Sequence, residues 1–320
     1  MSRRNRFRRP QDAGTAQPQA EPGSQEQEAP QGQPAQADDS AQLPEPSVIT
    51  LHLGGRNPIK SFNAYLIPGS KHVLVDPGPP GTAGELLEQL SRHRISLGDI
   101  GLIVITHGHP DHFGSASQLK EWTRAPLAVH ELDAEYVNFG STPVFKPVTR
   151  LGTLFKSAFA IKSEPVEPDI ILHDGDRLGR YAGRGRVIQT PGHTAGSISI
   201  LLPDGMCIVG DLLMRSLFGR SPSLPWFAEN MDETRESLQK VVNAGAKTLL
   251  AGHGGPFDIK DVARAFSWLE MPEGESNEQP RESAETASEA ADRPHRRRPR
   301  RRRPQNRNGS PGGQSPSPEG

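Results

Sequence analysis

Apolar side chains along this chain gather in short runs broken by Gly, Pro and Asp, and the runs are confined to its middle. Residues 48–53 alternate apolar and polar, the period of a half-buried strand. Residues 61–67 and 72–75 read as two more strands, turned at Pro68-Gly69-Ser70. The run 101–105 is apolar and β-branched, as a buried strand is. Further strands are expected at 126–129, 170–172, 186–189, 197–202, 206–209 and 247–251. Helical spacing marks 82–92, where Leu86, Leu87 and Leu90 recur and Thr82 with Glu85 is expected to close a capping box. Helices are also expected at 113–122, 131–137 and 258–269, with one more capped by Asp232 and running to Asn243. This alternation calls for a layered α/β fold, sheets covered by helices.

Two stretches of the middle follow neither period. Residues 212–227, with Pro222 and Pro225, read as loop. In residues 138–168, Phe139, Phe145, Phe155 and Phe159 are scattered among prolines, glycines and basic residues. A patternless segment of this length is expected to be functional, or to pack as a helical cap on the sheet. Lys146, Lys156 and Lys162 are the cations there that an anionic substrate would meet.

Composition separates the middle from the ends. Only 33% of the 320 residues are hydrophobic, because residues 1–45 are rich in Gln, Pro, Ala and Glu and residues 272–320 are similar with Arg added. Neither end buries enough surface to offset the entropy of ordering, so both are expected to be disordered tails. One domain, 46–271, remains, large enough for a full core. The basic start with Arg3, Arg4, Arg6, Arg8 and Arg9 is not followed by the apolar stretch of a secretory signal. No run approaches the ~18 apolar residues of a membrane span. The single Cys207 lies in an apolar run, reads as a core residue, and has no partner for a disulfide. A cytoplasmic protein with no membrane partner is expected.

The formal charge is −1, yet Arg296, Arg297, Arg298, Arg300, Arg301, Arg302 and Arg303, preceded by Arg293, form a basic block behind a glutamate-rich stretch. It is either a solubilising tail or a weak, sequence-independent tether for RNA or DNA, since clustered arginines release counterions from phosphates.

The stretch that carries chemistry is Thr106-His107-Gly108-His109-Pro110-Asp111-His112. Imidazole nitrogen and carboxylate oxygen suit a borderline divalent metal, zinc first. Gly108 and Pro110 break regular structure, so the ligands sit on a strand-to-helix turn where they can converge. Three more polar residues end apolar runs: His193 in Thr-Pro-Gly-His-Thr-Ala-Gly-Ser, Asp211 in Ile-Val-Gly-Asp, and His253 in Leu-Leu-Ala-Gly-His-Gly. Seven ligand-type residues are enough for two ions. Asp76, in Asp76-Pro77-Gly78, either orients a ligand histidine or only shapes the turn. His130, His72, His93, His173 and Ser197 read as structural. No P-loop, dinucleotide glycine fingerprint or His-Glu-x-x-His helix is present.

The His-x-His-x-Asp-His stretch, followed by Thr-Pro-Gly-His-Thr-x-Gly-Ser, Gly-Asp and Gly-His-Gly, resembles the metallo-β-lactamase superfamily, most closely its glyoxalase II-like and lactonase-like hydrolases. The resemblance covers roughly residues 46–270. It implies an αββα sandwich, with Asp76 beneath the metal site. It implies that one metal takes His107, His109 and His193 and the other Asp111, His112 and His253, with Asp211 bridging. Two divalent ions, zinc by default with iron or manganese as alternatives, would share a hydroxide, and Asp111 would both ligate and orient it. The activity expected is hydrolysis of a small-molecule thioester or lactone. Two alternatives stand beside it. One is a metal-dependent ribonuclease or phosphodiesterase, favoured by the arginine-rich tails. The other is a mononuclear iron persulfide dioxygenase, disfavoured by the complete second ligand set. A non-catalytic binding protein would be expected to have lost a ligand, and none is missing. Substrate, native metal and oligomeric state are not fixed by the pattern.

Overall fold

The computed structural model describes residues 47–55, 61–143, 146–159, 161–180 and 183–272. The basic start, the arginine block and Phe145 lie outside them, as do the side chains of Lys156, Phe155 and Phe159.

A first sheet joins β1 (Ile49–Leu53), β2 (Phe62–Ile67), β3 (His72–Val75), β4 (Ile100–Val104), β5 (Leu127–His130) and β6 (Ile170–Leu172) in chain order. Its pairs are antiparallel up to β3 and parallel beyond. The second sheet takes β7 (Arg186–Gln189), β8 (Ile198–Leu201), β9 (Met206–Gly210), β12 (Thr248–Ala251) and β13 (Phe257–Asp258) in the order β13-β12-β9-β8-β7. Between β9 and β12 in the chain, β10 (Met214–Arg215) and β11 (Pro222–Ser223) pair as a small ribbon inside the stretch read as loop. The helices are α1 (Ala83–Arg92), α2 (Pro110–Phe113), α3 (Ala116–Thr123), α4 (Glu131–Phe139), α5 (Arg150–Phe159), α6 (Met231–Asn243) and α7 (Ile259–Ala265). Among the described residues none is long and apolar enough to cross a membrane.

The period of two along each central strand splits its side chains between two cores. On β4, Leu102 and Val104 join Val73, Val75, Ile198, Ile200, Ile208 and Leu250 in one cluster that draws on both sheets. Ile103 and the following Ile105 turn the other way and pack with Leu86 and Leu90 of α1 and Leu119 of α3. On β9, Ile208 faces the first of these clusters, while Cys207 and Val209 pack with Leu238, Val241 and Val242 of α6 and Ile259 and Val262 of α7. Three apolar layers between four structural ones make the αββα sandwich. Strands buried on both faces need near-continuous apolar runs, which is why β2 is buried at all six positions.

Several local expectations are corrected. The helix after the histidine motif is not continuous: it breaks at Gly114, packed against Pro80, where any side chain would collide with the proline ring. The Pro79-Pro80 loop is fastened there by Ser115 Oγ donating to Pro79 O at 2.7 Å and Gly78 N to His112 O at 3.0 Å. Thr82 and Glu85 form no capping box. Thr82 has ψ near 0°, not the extended backbone of a cap, and its hydroxyl donates to Pro79 O at 2.9 Å. Glu85 instead accepts from Gly54 N at 3.0 Å. Asn230, not Asp232, caps α6, its Oδ1 accepting from Asp232 N and Glu233 N. The last helix spans Ile259–Ala265, with Asp258 as its cap. The segment 138–168 contains α5, and the strip before it runs beside residues 226–228: Val148 N donates to Trp226 O at 2.9 Å and Ala228 N to Lys146 O at 3.1 Å.

Candidate metal centre

Each ligand-type residue leaves the sheet at the C-terminal end of a strand. His107 and its neighbours follow β4, Asp76 follows β3, His193 follows β7, Asp211 follows β9 and His253 follows β12. Parallel pairing of β3 with β4 and of β9 with β12 puts those ends at the same edge of each sheet. Ile198 N donating to Thr106 O and Asn63 N to Gly252 O, both at 2.9 Å, tie the two edges together. All seven predicted ligand residues converge there. Three combinations bring one ligand atom from each member within 4.8 Å of the others: His107 with His109 and His193; His107 with His112 and Asp211; Asp111 with His112 and His253.

Hydrogen bonds from behind set which ring nitrogen faces inward. His193 Nδ1 donates to the Phe227 carbonyl at 2.8 Å, so its Nε2 turns to His109 Nδ1, 2.9 Å away. Asp76 stands beneath two rings. Its Oδ2 accepts from His112 Nδ1 at 2.8 Å and from the Thr106 hydroxyl at 2.6 Å, and that hydroxyl lies 3.1 Å from His107 Nδ1. Its Oδ1 accepts from Thr106 N at 2.8 Å. Asp76 holds a positive φ of 52°, a conformation that a side chain adopts only when its surroundings insist. Asp76 thus both shapes the turn and bonds the His112 ring.

Among the described residues the buried His107 Nε2 finds no hydrogen-bond partner. His112 Nε2 and Asp211 Oδ1 face each other at 3.3 Å without the alignment of a hydrogen bond. Buried polar atoms left this way are costly unless something else takes their lone pairs. A donor set of five imidazoles, three from one motif and two from its partners, plus carboxylates, fits a divalent ion of the zinc type. Asp211 sits between the groups, with His112 at 3.3 Å, His253 at 3.4 Å and His193 at 3.8 Å.

Charge divides the centre. Burial lowers the affinity of His107, His109 and His193 for protons, and the neighbouring imidazoles reinforce this for the first two, with His109 brought to about 3. His112 and His253 are buried too, but the Asp211 charge, with Asp76 and Asp111, outweighs burial. His112 is raised well above its ordinary value and His253 to about 10. Burial pushes Asp111 and Asp211 up, and the close, positively charged His253 and His112 more than reverse it. Asp111 falls to about 2 and Asp211 well below the carboxylate range.

One residue of the site was not singled out in the sequence. Asp133, on α4, accepts from Gly108 N at 2.6 Å, from Thr194 Oγ1 at 2.6 Å and from Gly196 N at 3.0 Å. Burial raises its pKa, against those three bonds. Its only sequence mark is being acidic in the first turn of a helix, where acids are common. Ser197 is structural as read, its Oγ accepting from Thr194 N at 3.0 Å. So is His130, whose Nδ1 accepts from Leu132 N to cap α4. Lys146 and Lys162 are exposed. Cys207 is fully buried, and burial pushes its thiol up.

Beside His253 lies a cavity of about 150 Å³ lined by Asn63, Met214, Arg215, Leu217 and Trp226 among others.

A family model described as the metallo-beta-lactamase superfamily matches residues 61–253. The chain is 30% identical over 212 residues to the probable metallo-hydrolase MJ0888 of Methanocaldococcus jannaschii, a match covering 66% of this chain and 94% of that one. It is 27% identical over 224 residues to the probable metallo-hydrolase YflN of Bacillus subtilis, covering 63% and 84%. Among solved structures, the metallo-beta-lactamase family protein TTHA1429 of Thermus thermophilus is similar with TM-score 0.52 and 27% identity, over 68% of this chain and 77% of that one.

Proposed function

The chain belongs to the metallo-beta-lactamase superfamily, as a metallo-hydrolase, and from that premise we propose that it holds two divalent ions, zinc by default, and hydrolyses a small carboxylic thioester or lactone. The observation that carries this reading is the pair of buried ligand groups on either side of Asp211, opening beside a small cavity. His107, His109 and His193 would hold one ion, and Asp111, His112 and His253 the other, with Asp211 placed between them.

When bound, such ions supply a water nucleophile that ionises near neutral pH and a Lewis acid for the attacked carbonyl. The chain's own residues prepare that chemistry. Asp76, Thr106 and the Phe227 carbonyl hold the rings of His112, His107 and His193 with their Nε2 atoms inward. Asp111 and Asp211, both ionised at neutral pH, balance the charge of the ions. Asp111, 3.4 Å from His253 Nε2, would also orient a water held by such ions. No serine or cysteine nucleophile is needed: Ser197 is engaged by the Thr194 loop and Cys207 is in the core. The apolar Met214, Leu217 and Trp226 in so small a cavity favour an acyl group or a lactone ring over a polynucleotide strand.

A hydrolysis panel of thioesters, lactones and phosphodiesters, run on protein of measured metal content, tests the reading. Turnover of a thioester or lactone with about two ions per chain is expected. Turnover of phosphodiesters alone replaces it with the nuclease, and a single iron in active protein replaces it with the dioxygenase. The protein acts in the cytoplasm in this reading, and its arginine block serves at most as a weak nucleic-acid tether outside catalysis.

A further inference from the structure

Asp133 is a buried acid for which the two-ion reading has assigned no task. It is 0% exposed, and both of its oxygens are taken by loops rather than by its own helix. Gly108, one of its donors, lies between His107 and His109, so the direction of that peptide governs where both rings project. Thr194, another, follows His193. Gly196 closes the same loop. The two loops come from different sheets, and their histidines His109 and His193 are 84 residues apart in the chain. One carboxylate is bonded to both loops, beside the Ile198 N to Thr106 O bond that also joins the two edges.

The packing leaves no slack around it. A Cβ on Gly196 would lie 2.5 Å from Asp133 Cγ, and one on Gly108 would lie 3.1 Å from Tyr136 Cβ. Helix α4 is therefore pressed onto both loops, with the His109 Nδ1 and His193 Nε2 atoms 2.9 Å apart in front of it. The other ligand group is supported elsewhere: His112 sits on α2 and is held by Asp76, and His253 follows β12. None of the donors to Asp133 adjoins His112, His253 or Asp211.

We propose that Asp133 is a positioning residue that sets the metal affinity of the His107, His109 and His193 group and leaves that of the Asp111, His112 and His253 group unaffected. It touches neither ion nor substrate and acts only through the two loops. The inference rests on the two-ion reading.

The experiment is a titration of metal-free, full-length protein with Zn²⁺ against a chromophoric chelator, with thermal melts of the same samples. Wild type reports the two-ion reading by itself. His253→Ala isolates the three-histidine group and His193→Ala isolates the other, and Asp133→Asn is added to each. In the first background Asp133→Asn is expected to weaken Zn²⁺ binding by roughly 10–100-fold, the range for removing an outer partner of a metal ligand. In the second it is expected to change nothing. Equal weakening in both backgrounds, or a lowered melting temperature with both affinities kept, assigns Asp133 a general structural role and overturns the proposal. Should Asp133→Asn not fold, Thr194→Val and Thr194→Ser decide it. The valine variant loses the hydroxyl's bonds to Asp133 and to Ser197 Oγ and is expected to weaken only the three-histidine group, and the serine variant is expected to restore it. Two equal valine and serine variants overturn it as well. A wild-type chain that binds no Zn²⁺ at these histidines overturns the two-ion reading itself.

Discussion

The two ligand groups proposed above meet at Asp211 on one edge of the sandwich, yet they are made of opposite materials. His107, His109 and His193 are neutral imidazoles, kept so by burial. Asp111, His112, His253 and Asp211 are a buried set of ion pairs, with histidines protonated and carboxylates ionised. The first group offers lone pairs at once but has little attraction of its own among its members, so it depends on what holds it from behind. The second group holds itself together by charge and must give up protons before its nitrogens can ligate. Proximity in space therefore does not make two ligand sets equivalent. The surrounding carboxylates decide which is ready for metal.

The largest effect should come from the residue common to both. Asp211→Ala is expected to strip both groups of metal under dialysis and to reduce hydrolysis to background, as elemental analysis and an activity assay would show. It also leaves His112 and His253 without their main counter-charge, so the metal-free form should lose roughly 3–5 kcal/mol on denaturant unfolding, the cost of breaking one side of a buried ion pair. By contrast, His193→Ala should empty mainly the three-histidine group. If His193→Ala and Asp211→Ala lose the same amount of metal, the division into two groups is wrong.

A smaller effect separates the groups by pH. His253 is raised from its ordinary value of 6.5 to about 10, so at pH 7 it is protonated in the metal-free protein. Its contribution to metal-free stability is full below about pH 6.5 and is lost as pH rises through about 10. Metal binding at its group should release protons at pH 7 and tighten with rising pH. His109, brought to about 3, has no proton to release there. Calorimetric titration in buffers of different ionisation enthalpy counts these protons for each group. Proton release shared equally by the two groups would contradict the contrast.

The smallest effect on either group should come from removing the ends of the chain. A chain of residues 46–271 is expected to keep its metal content and hydrolysis within error and to lose only a weak, salt-sensitive affinity for nucleic acid. If the shortened chain binds nucleic acid as tightly as the full one at equal salt, the arginines are not the tether and the nuclease reading takes first place.

Much of this site can be read along the chain because each ligand follows an apolar run and a glycine or a break. The apolar, β-branched run 101–105 also announced the buried strand β4. Other features escaped for identifiable reasons. Thr82 with Glu85 has the spacing of a capping box, but the Pro79-Pro80 loop claims the threonine hydroxyl and Gly54 claims the glutamate. The interruption at Gly114 comes from Pro80 pressing on it, a neighbour more than thirty residues earlier. Helix α5 carries an amphipathic pattern that scattered prolines and glycines around it obscure.

What the sequence determined by itself is the inventory: the layered α/β fold, the seven ligand-type residues and the strand ends that carry them. Residue type and local period suffice for these, because burial of alternate side chains and breaks at glycine and proline are properties of short segments. What only the tertiary structure decided is how the ligands differ from one another. Which imidazole is neutral and which is paired depends on carboxylates that arrive from other strands. Which loop is held, and by what, depends on Asp133 meeting Gly108 25 residues away and Gly196 63 residues away. Electrostatic fields and hydrogen bonds act through space, and no spacing along the chain records which distant groups the fold will bring into contact.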